Sequence, residues 1–149
     1  MKAADVFRAF ADWRLQTFAR RPRESVRFFR SSLDHSMVWM LVMRGHFNGN
    51  PPTVGECQDI ARCSRLTTRK LIADAVSKGL LQVHPAADDH RKRIVRPSER
   101  TIAEYESMVR GYISFFEEVG RDRSGERPAQ ADAERAAAPA AGPLASSRD

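Results

Sequence analysis

Apolar residues recur close to helical spacing from the first residues of the chain. Val6, Phe7, Phe10, Trp13 and Thr17, with Phe18 beside the last, predict a helix over residues 3–19. Pro22 interrupts this run. Phe28, Phe29, Leu33, Met37, Met40 and Leu41 then mark a second helix up to about Arg44. Gly45–Pro52, GHFNGNPP, is a loop by composition. Thr53 opens a short third helix ending near Arg62, because its side chain can cap and Glu56 stands at the capping-box spacing. Ser64 or Arg65 begins a turn into a fourth helix, about Leu66–Lys78, and Gly79 is placed to end it in the left-handed conformation. There the period changes. Leu80–His84 is short and branched enough for a strand, Pro85–His90 reads as a turn, and Arg91–Arg96 as the returning strand. Pro97 stops it and Ser98 can cap a last helix, whose stripe is Ile102, Tyr105, Met108 or Val109, Tyr112, Phe115 or Phe116, and Val119.

A short helix, a tight turn, a second helix, a glycine and a hairpin predict a mainly α fold with a small β-wing. This is a winged helix-turn-helix flanked by N- and C-terminal helices. A helix fits the major groove of B-form DNA, the preceding helix braces it, and the hairpin reaches flanking phosphates or the minor groove. The last helix and the Phe-rich first helix carry more apolar face than a small domain easily covers. Phe7, Phe10, Tyr112, Phe115 and Phe116 are therefore read as a homodimer interface. The alternative is that the two helices pack on each other in a monomer.

Composition adds the boundaries. The 149 residues suit one domain, 1–121, with a DNA-binding lobe at about 53–100. Residues 122–149 are rich in Ala and Pro and hold no aromatic; they are read as a disordered tail, since they bury too little apolar area to offset their ordering entropy. The net charge is +6, and 21 of the 25 basic residues are Arg. Residues 121–149 hold five Arg and five acids, so the excess belongs to the first 120 residues. Arg forms bidentate contacts with phosphate and guanine better than Lys does, so the balance points to an anionic partner. No stretch has the length and apolar purity of a membrane span, and the first residues lack the apolar block of a secretory signal, so a cytoplasmic protein with no membrane partner is expected. Cys57 and Cys63 suggest neither a disulfide framework nor a zinc site, and are read as inert thiols. No metal, cofactor or catalytic motif is indicated, and the chain is not read as an enzyme.

Arg65, Thr67, Arg69 and Lys70 fall on the first turns of the fourth helix, while Thr68, Leu71, Ile72 and Ala75 face inward. Arg69 or Arg65 can pair bidentately with guanine, and Thr67 can contact a thymine methyl or a phosphate. Arg62 and Lys78 are candidate phosphate ligands. Asp89, Arg91, Lys92 and Arg93 make the wing, where Asp89 is expected to hold Arg91 or Arg93 extended towards the minor groove. Trp13, His35, Trp39 and Met43, with His46 and Phe47, can line a pocket for a small-molecule effector. Arg14, Arg20, Arg21, Arg23, Arg27 and Arg30 form a basic cluster around Pro22, which can touch an acidic partner or stay solvated.

Residues 53–100 resemble the DNA-binding lobe of the MarR family of bacterial transcriptional regulators. Ile60-Ala61 resembles the bracing helix, and Ser64 and Thr67 stand where the recognition helix opens. Lys78-Gly79-Leu80-Leu81 resembles the helix-to-wing junction, and Asp89-His90-Arg91 followed by Arg93 resembles the wing's Asp-x-Arg-x-Arg/Lys pattern. Ala75 departs from the family, which usually has a larger apolar residue there, and Pro97-Ser98 replaces its Leu-Thr. The N-terminal region lacks the reactive cysteine of the peroxide-sensing members. The resemblance implies a homodimer joined by its terminal helices, double-stranded DNA as partner and, in many members, a small effector. The expected function is a sequence-specific DNA-binding transcriptional regulator, a repressor released by an effector. The competing reading is a winged-helix adaptor or structural module without sequence-specific DNA binding.

Overall fold

The computed structural model describes residues 3–20 and 23–124. Six helices and one hairpin follow in chain order: α1 (Ala3–Ala19), α2 (Glu24–Phe29), α3 (Leu33–Phe47), α4 (Val54–Ile60), α5 (Arg65–Ser77), β1 (Leu81–Pro85), β2 (Arg93–Pro97) and α6 (Glu99–Ser124). This is the expected mainly helical winged helix-turn-helix. The break assigned to Pro22 lies outside the described residues, and so does the tail from residue 125 onward.

The helix expected from Phe28 to Arg44 is two helices, and serine chemistry divides them. Ser31 donates its hydroxyl to the Phe28 carbonyl at 2.7 Å, and Ser36 donates to the Phe29 carbonyl at 2.8 Å. Ser32 is extended, and its hydroxyl oxygen accepts the His35 backbone N–H as the cap of α3. These bonds satisfy helix-end groups that a continuous helix would pair internally. The loop expected to begin at Gly45 begins instead at Asn48. Gly45 stays helical because the chain folds back against it. A Cβ there would stand 2.7 Å from the Asn50 carbonyl oxygen and 2.7 Å from Pro52.

The helix-turn-helix is capped at each junction. Thr53 accepts the Glu56 N–H at 3.1 Å, and the Glu56 carboxylate accepts the Thr53 N–H at 2.6 Å, which completes the capping box. Ser64 caps α5 by accepting the Thr67 N–H. At the far end Gly79 takes φ +68°. Its N–H reaches the Val76 carbonyl, and the Leu80 N–H reaches Ala75, each at 2.9 Å, closing the helix as a Schellman turn. The strands pair antiparallel with Leu81 opposite Pro97 and Val83 opposite Val95. They are stitched to the start of α4 by a bridge between Thr53 and Ile94 and by the Val95 N–H on the Pro52 carbonyl at 2.7 Å.

The core lies where α3, α5 and the hairpin meet, filled by Val38, Trp39, Met43, Leu71, Leu80 and Val95. Ala75 is fully buried there, so the small residue fits a close approach of α5 to the core. α1 packs on α6 through Phe10 and Trp13 against Tyr112 and Phe115. No helix among the described residues is long and apolar enough to cross a membrane.

Candidate nucleic-acid interface

α5 sorts its residues as its period dictates. Thr68, Leu71, Ile72 and Ala75 are buried, and Arg65, Leu66, Thr67, Arg69 and Lys70 are exposed. The buried set anchors the helix, so the exposed set projects from a rigid element. Arg65 faces Asp59 of α4 at 3.7 Å. Both side chains are exposed, and a surface pair of this kind contributes little and exchanges readily. No acid pairs with Arg69 or Lys70 among the described residues. The Thr67 hydroxyl lies 2.8 Å from that of Ser64, so it is engaged by the cap. Leu66 stands 78% exposed on the first turn of α5, an apolar contact point that the helical period alone did not single out.

The wing holds its arginines by a different device from the one expected. The Asp89 carboxylate accepts the Arg91 backbone N–H at 3.0 Å, and the Asp89 carbonyl accepts the Lys92 N–H at 2.9 Å. Among the described residues no ion pair joins Asp89 to the guanidinium of Arg91 or Arg93. Asp89 therefore shapes the turn, as a short acidic side chain does when it bonds its own backbone two residues on. The side chains of Arg91, Lys92 and Arg93 stay exposed.

Helix and wing meet across one cleft of about 790 Å³. Arg69 from α5 and Arg91, Lys92 and Arg93 from the wing line it. Val54, Ile72, Ala73, Val76 and Val83 supply its apolar lining. The sequence pattern did not reveal this cleft, because it forms only when the hairpin folds back beside α5.

Arg62 and Lys78 lie at the two ends of the α5 region and are exposed. The Arg62 backbone N–H donates to the Asp34 carboxylate at 2.8 Å, so the turn before α5 is tied to the first turn of α3. Lys78 borders a small recess with Arg27 and Phe28.

Of the residues read as an effector pocket, His35, Trp39 and Met43 stand four apart on α3, and Trp13 lies on α1. Trp39 and Met43 are core side chains at 1% exposure, with Trp39 stacked on Phe29 at 5.5 Å between ring centres. Trp13 belongs to the aromatic cluster of α1 and α6. His35 packs edge-on to Phe28, and burial pushes its pKa down against the opposing pull of Asp34 and Asp74. Trp39 and Met43 thus offer no surface to a ligand.

The interface residues divide as well. Phe115 is buried within the chain by α1, and Tyr112 accepts a hydrogen bond from Arg14 at 2.6 Å. Trp13 packs against both, and Phe10 against Phe115 and Phe116. Phe7 and Phe116 remain 72% and 56% exposed, and Leu15 and Ile113 on the same two helices are exposed as well. The cysteines lie within the helix-turn-helix. Burial pushes the Cys57 thiol up to about 12, with the nearby Glu56 adding to the shift, so this thiol stays protonated. Cys63 sits 3.3 Å from the Thr68 hydroxyl.

No family model matches the chain, and no curated protein matches it. Solved structures do. The transcriptional regulator Tm0710 from Thermotoga maritima is 15% identical over 87% of this chain and 88% of its own, with a TM-score of 0.54. MepR of S. aureus in complex with DNA is 14% identical over 88% of this chain and 94% of its own, with a TM-score of 0.52. MepR bound to ethidium bromide is 12% identical over 92% of this chain and 91% of its own, with a TM-score of 0.50. The chain has the winged-helix fold of these regulators. At such identities the likeness is one of fold, and it spans the flanking helices as well as the helix-turn-helix and wing.

Proposed function

We propose that this protein is a sequence-specific double-stranded DNA-binding transcriptional regulator of the MarR type, acting as a homodimeric repressor. The observation that carries the reading is the juxtaposition of Arg69 on α5 with Arg91, Lys92 and Arg93 of the wing along one cleft. A duplex supplies a helical groove for α5 and a flanking phosphate backbone or minor groove for the wing. Arg69 is the favoured guanine reader, since Arg65 must first leave Asp59. Leu66 is placed to meet a thymine methyl, and Arg62 and Lys78 are suited to phosphates. The DNA-bound MepR of the same fold supports this docking.

The exposed Phe7, Leu15, Ile113 and Phe116 support dimerisation through α1 and α6, because large apolar side chains left exposed on two packed helices gain from being covered. A two-fold axis would then set two copies of α5 into successive major grooves. The site is expected to be an imperfect palindrome with half-sites about 34–36 Å apart. Release of DNA by a bound effector belongs to the same reading.

Selection from a randomised duplex pool at physiological salt tests it. The expected result is enrichment of one palindromic sequence that the Arg69→Ala and Arg93→Ala variants no longer recover. Absence of any enriched sequence, with duplex binding unchanged in both variants, would replace this reading with the adaptor.

A further inference from the structure

The cleft between α5 and the wing carries chemistry that a duplex does not use in full. Four cations, Arg69, Arg91, Lys92 and Arg93, stand around it, and no Asp or Glu is among the residues that line it. Its floor is apolar, formed by Val54, Ile72, Ala73, Val76 and Val83. A phosphate backbone neutralises the cations but brings no apolar side chain to such a floor. A small carboxylate satisfies one or two cations and leaves the others unmatched. The cleft is also open along one side, whereas small-molecule sites bury most of their ligand's surface. A chain that carries several carboxylates and a few apolar side chains fits both halves of the site.

We infer that this cleft docks an acidic, apolar-studded peptide segment of a partner protein, which competes with DNA for the same arginines. The competition rests on the DNA-binding reading; the docking site does not. Apolar anchors enter the floor while Asp and Glu on either side accept forked hydrogen bonds from the guanidinium groups. The chain's own residues 125–149 are a poor match, with three Arg against four acids and only Leu144 as an apolar residue larger than Ala or Pro. The occupant is therefore another protein. Its binding relieves repression without any effector pocket inside the fold, by covering the surface that reads DNA.

The test pans a random peptide library against the full chain in the absence of DNA and follows the recovered peptide by methyl NMR. The expected peptide combines Asp or Glu with Leu or Phe, and shifts the methyl signals of Val54, Ile72, Val76 and Val83. Polyglutamate of equal length should bind about tenfold more weakly, since it lacks the apolar anchors. Ala73→Glu, at an exposed position of α5 that lines the cleft, should weaken the peptide by about tenfold or more through like-charge repulsion. The peptide should also raise the apparent Kd of a labelled duplex in proportion to its concentration. Recovery of neutral or basic peptides overturns the site, as do methyl shifts confined to other residues. These two results use the unmodified protein, so they decide even if the variant fails to fold. Equal binding of polyglutamate overturns it as well. A peptide seated in the cleft of a protein that binds no duplex leaves the site standing and removes the DNA reading. Duplex binding with no acidic peptide recovered does the reverse, and peptide and duplex bound together without mutual effect removes the competition.

Discussion

Two glycines show how differently one residue type can be required. Gly79 holds φ +68° with open space around its α-carbon, so its need is conformational only. Gly79→Ala should cost about 1–2 kcal/mol, and Gly79→Asn less, because Asn tolerates the left-handed region. Gly45 sits in a helix, where Ala is ordinarily the better residue. Its missing Cβ leaves room for the Asn50 carbonyl and Pro52, so Gly45→Ala should destabilise by displacing backbone rather than by strain at its own φ. Urea denaturation of the variants checks both, with Gly45→Ala expected to lower the midpoint although it raises helix propensity. At the same scale, the two candidate base readers should separate. Arg69→Ala should cost roughly 1–3 kcal/mol in binding to the selected duplex and relax the preference at one position per half-site. Arg65→Ala should cost less, because the wild-type side chain is shared with Asp59. Equal losses in a titration at fixed salt would contradict that ranking.

Elements here are bounded by side-chain oxygens more than by apolar period. Thr53, Ser64 and Ser32 each cap a helix, and Ser98 accepts the Thr101 N–H at the start of α6. Thr53→Ala should lose about 0.5–2 kcal/mol of stability. Thr53 also bridges to Ile94, so the variant should loosen the wing as well as α4. Faster amide exchange at the Val95 N–H, which bonds the neighbouring Pro52, would report that coupling. The caps at Thr53 and Ser98 were legible, the first from the capping-box spacing to Glu56 and the second from its place between Pro97 and the stripe that starts at Ile102, whereas Ser64 was legible only as the start of a turn. The split of the second helix was not, since Phe28, Phe29 and Leu33 keep helical spacing straight through Ser31 and Ser32. Only the bonds that those serines and Ser36 make to nearby backbone groups show that the chain turns there.

At the scale of the molecule, α6 ties the parts together. Its Glu104 accepts both the N–H and the hydroxyl of Ser25 in α2, and Arg100 bridges Glu104 to Glu24. Burial alone would push the Glu104 carboxyl up, but the bonds from Ser25 and Arg100 outweigh it and hold its pKa below the ordinary 4.5. A carboxylate depressed on folding stabilises the native state above its unfolded pKa, and loses that contribution as the pH falls through its folded pKa. Tm should therefore drop on acidification below about pH 4.5, and less steeply in Glu104→Gln. Assembly has its own signature. Sedimentation should give twice the 16.8 kDa chain mass. Phe116→Glu should yield a folded monomer, because that side chain is largely exposed within one chain. Phe115→Glu should unfold the α1–α6 contact by burying an unpaired charge. A Phe116→Glu protein that stays dimeric would place the interface elsewhere.

By itself the sequence determined the order of elements from α4 onward, the inward face of α5 and the left-handed end at Gly79, because these follow from local period and backbone sterics that neighbouring residues already specify. It also named the exposed cations of α5 and the wing. What those cations surround was decided by tertiary structure alone. The hairpin had to fold back on α4 through Pro52 and Thr53 before Arg69 met Arg91 and Arg93 across an apolar floor. The same holds for Trp39 and Met43, whose aromatic and sulfur chemistry suits a pocket or a core equally well until packing assigns them to the core. Asp89 was rightly placed in the wing, but its partner is a backbone N–H rather than a guanidinium, because the tight turn brings that donor closer than either arginine side chain.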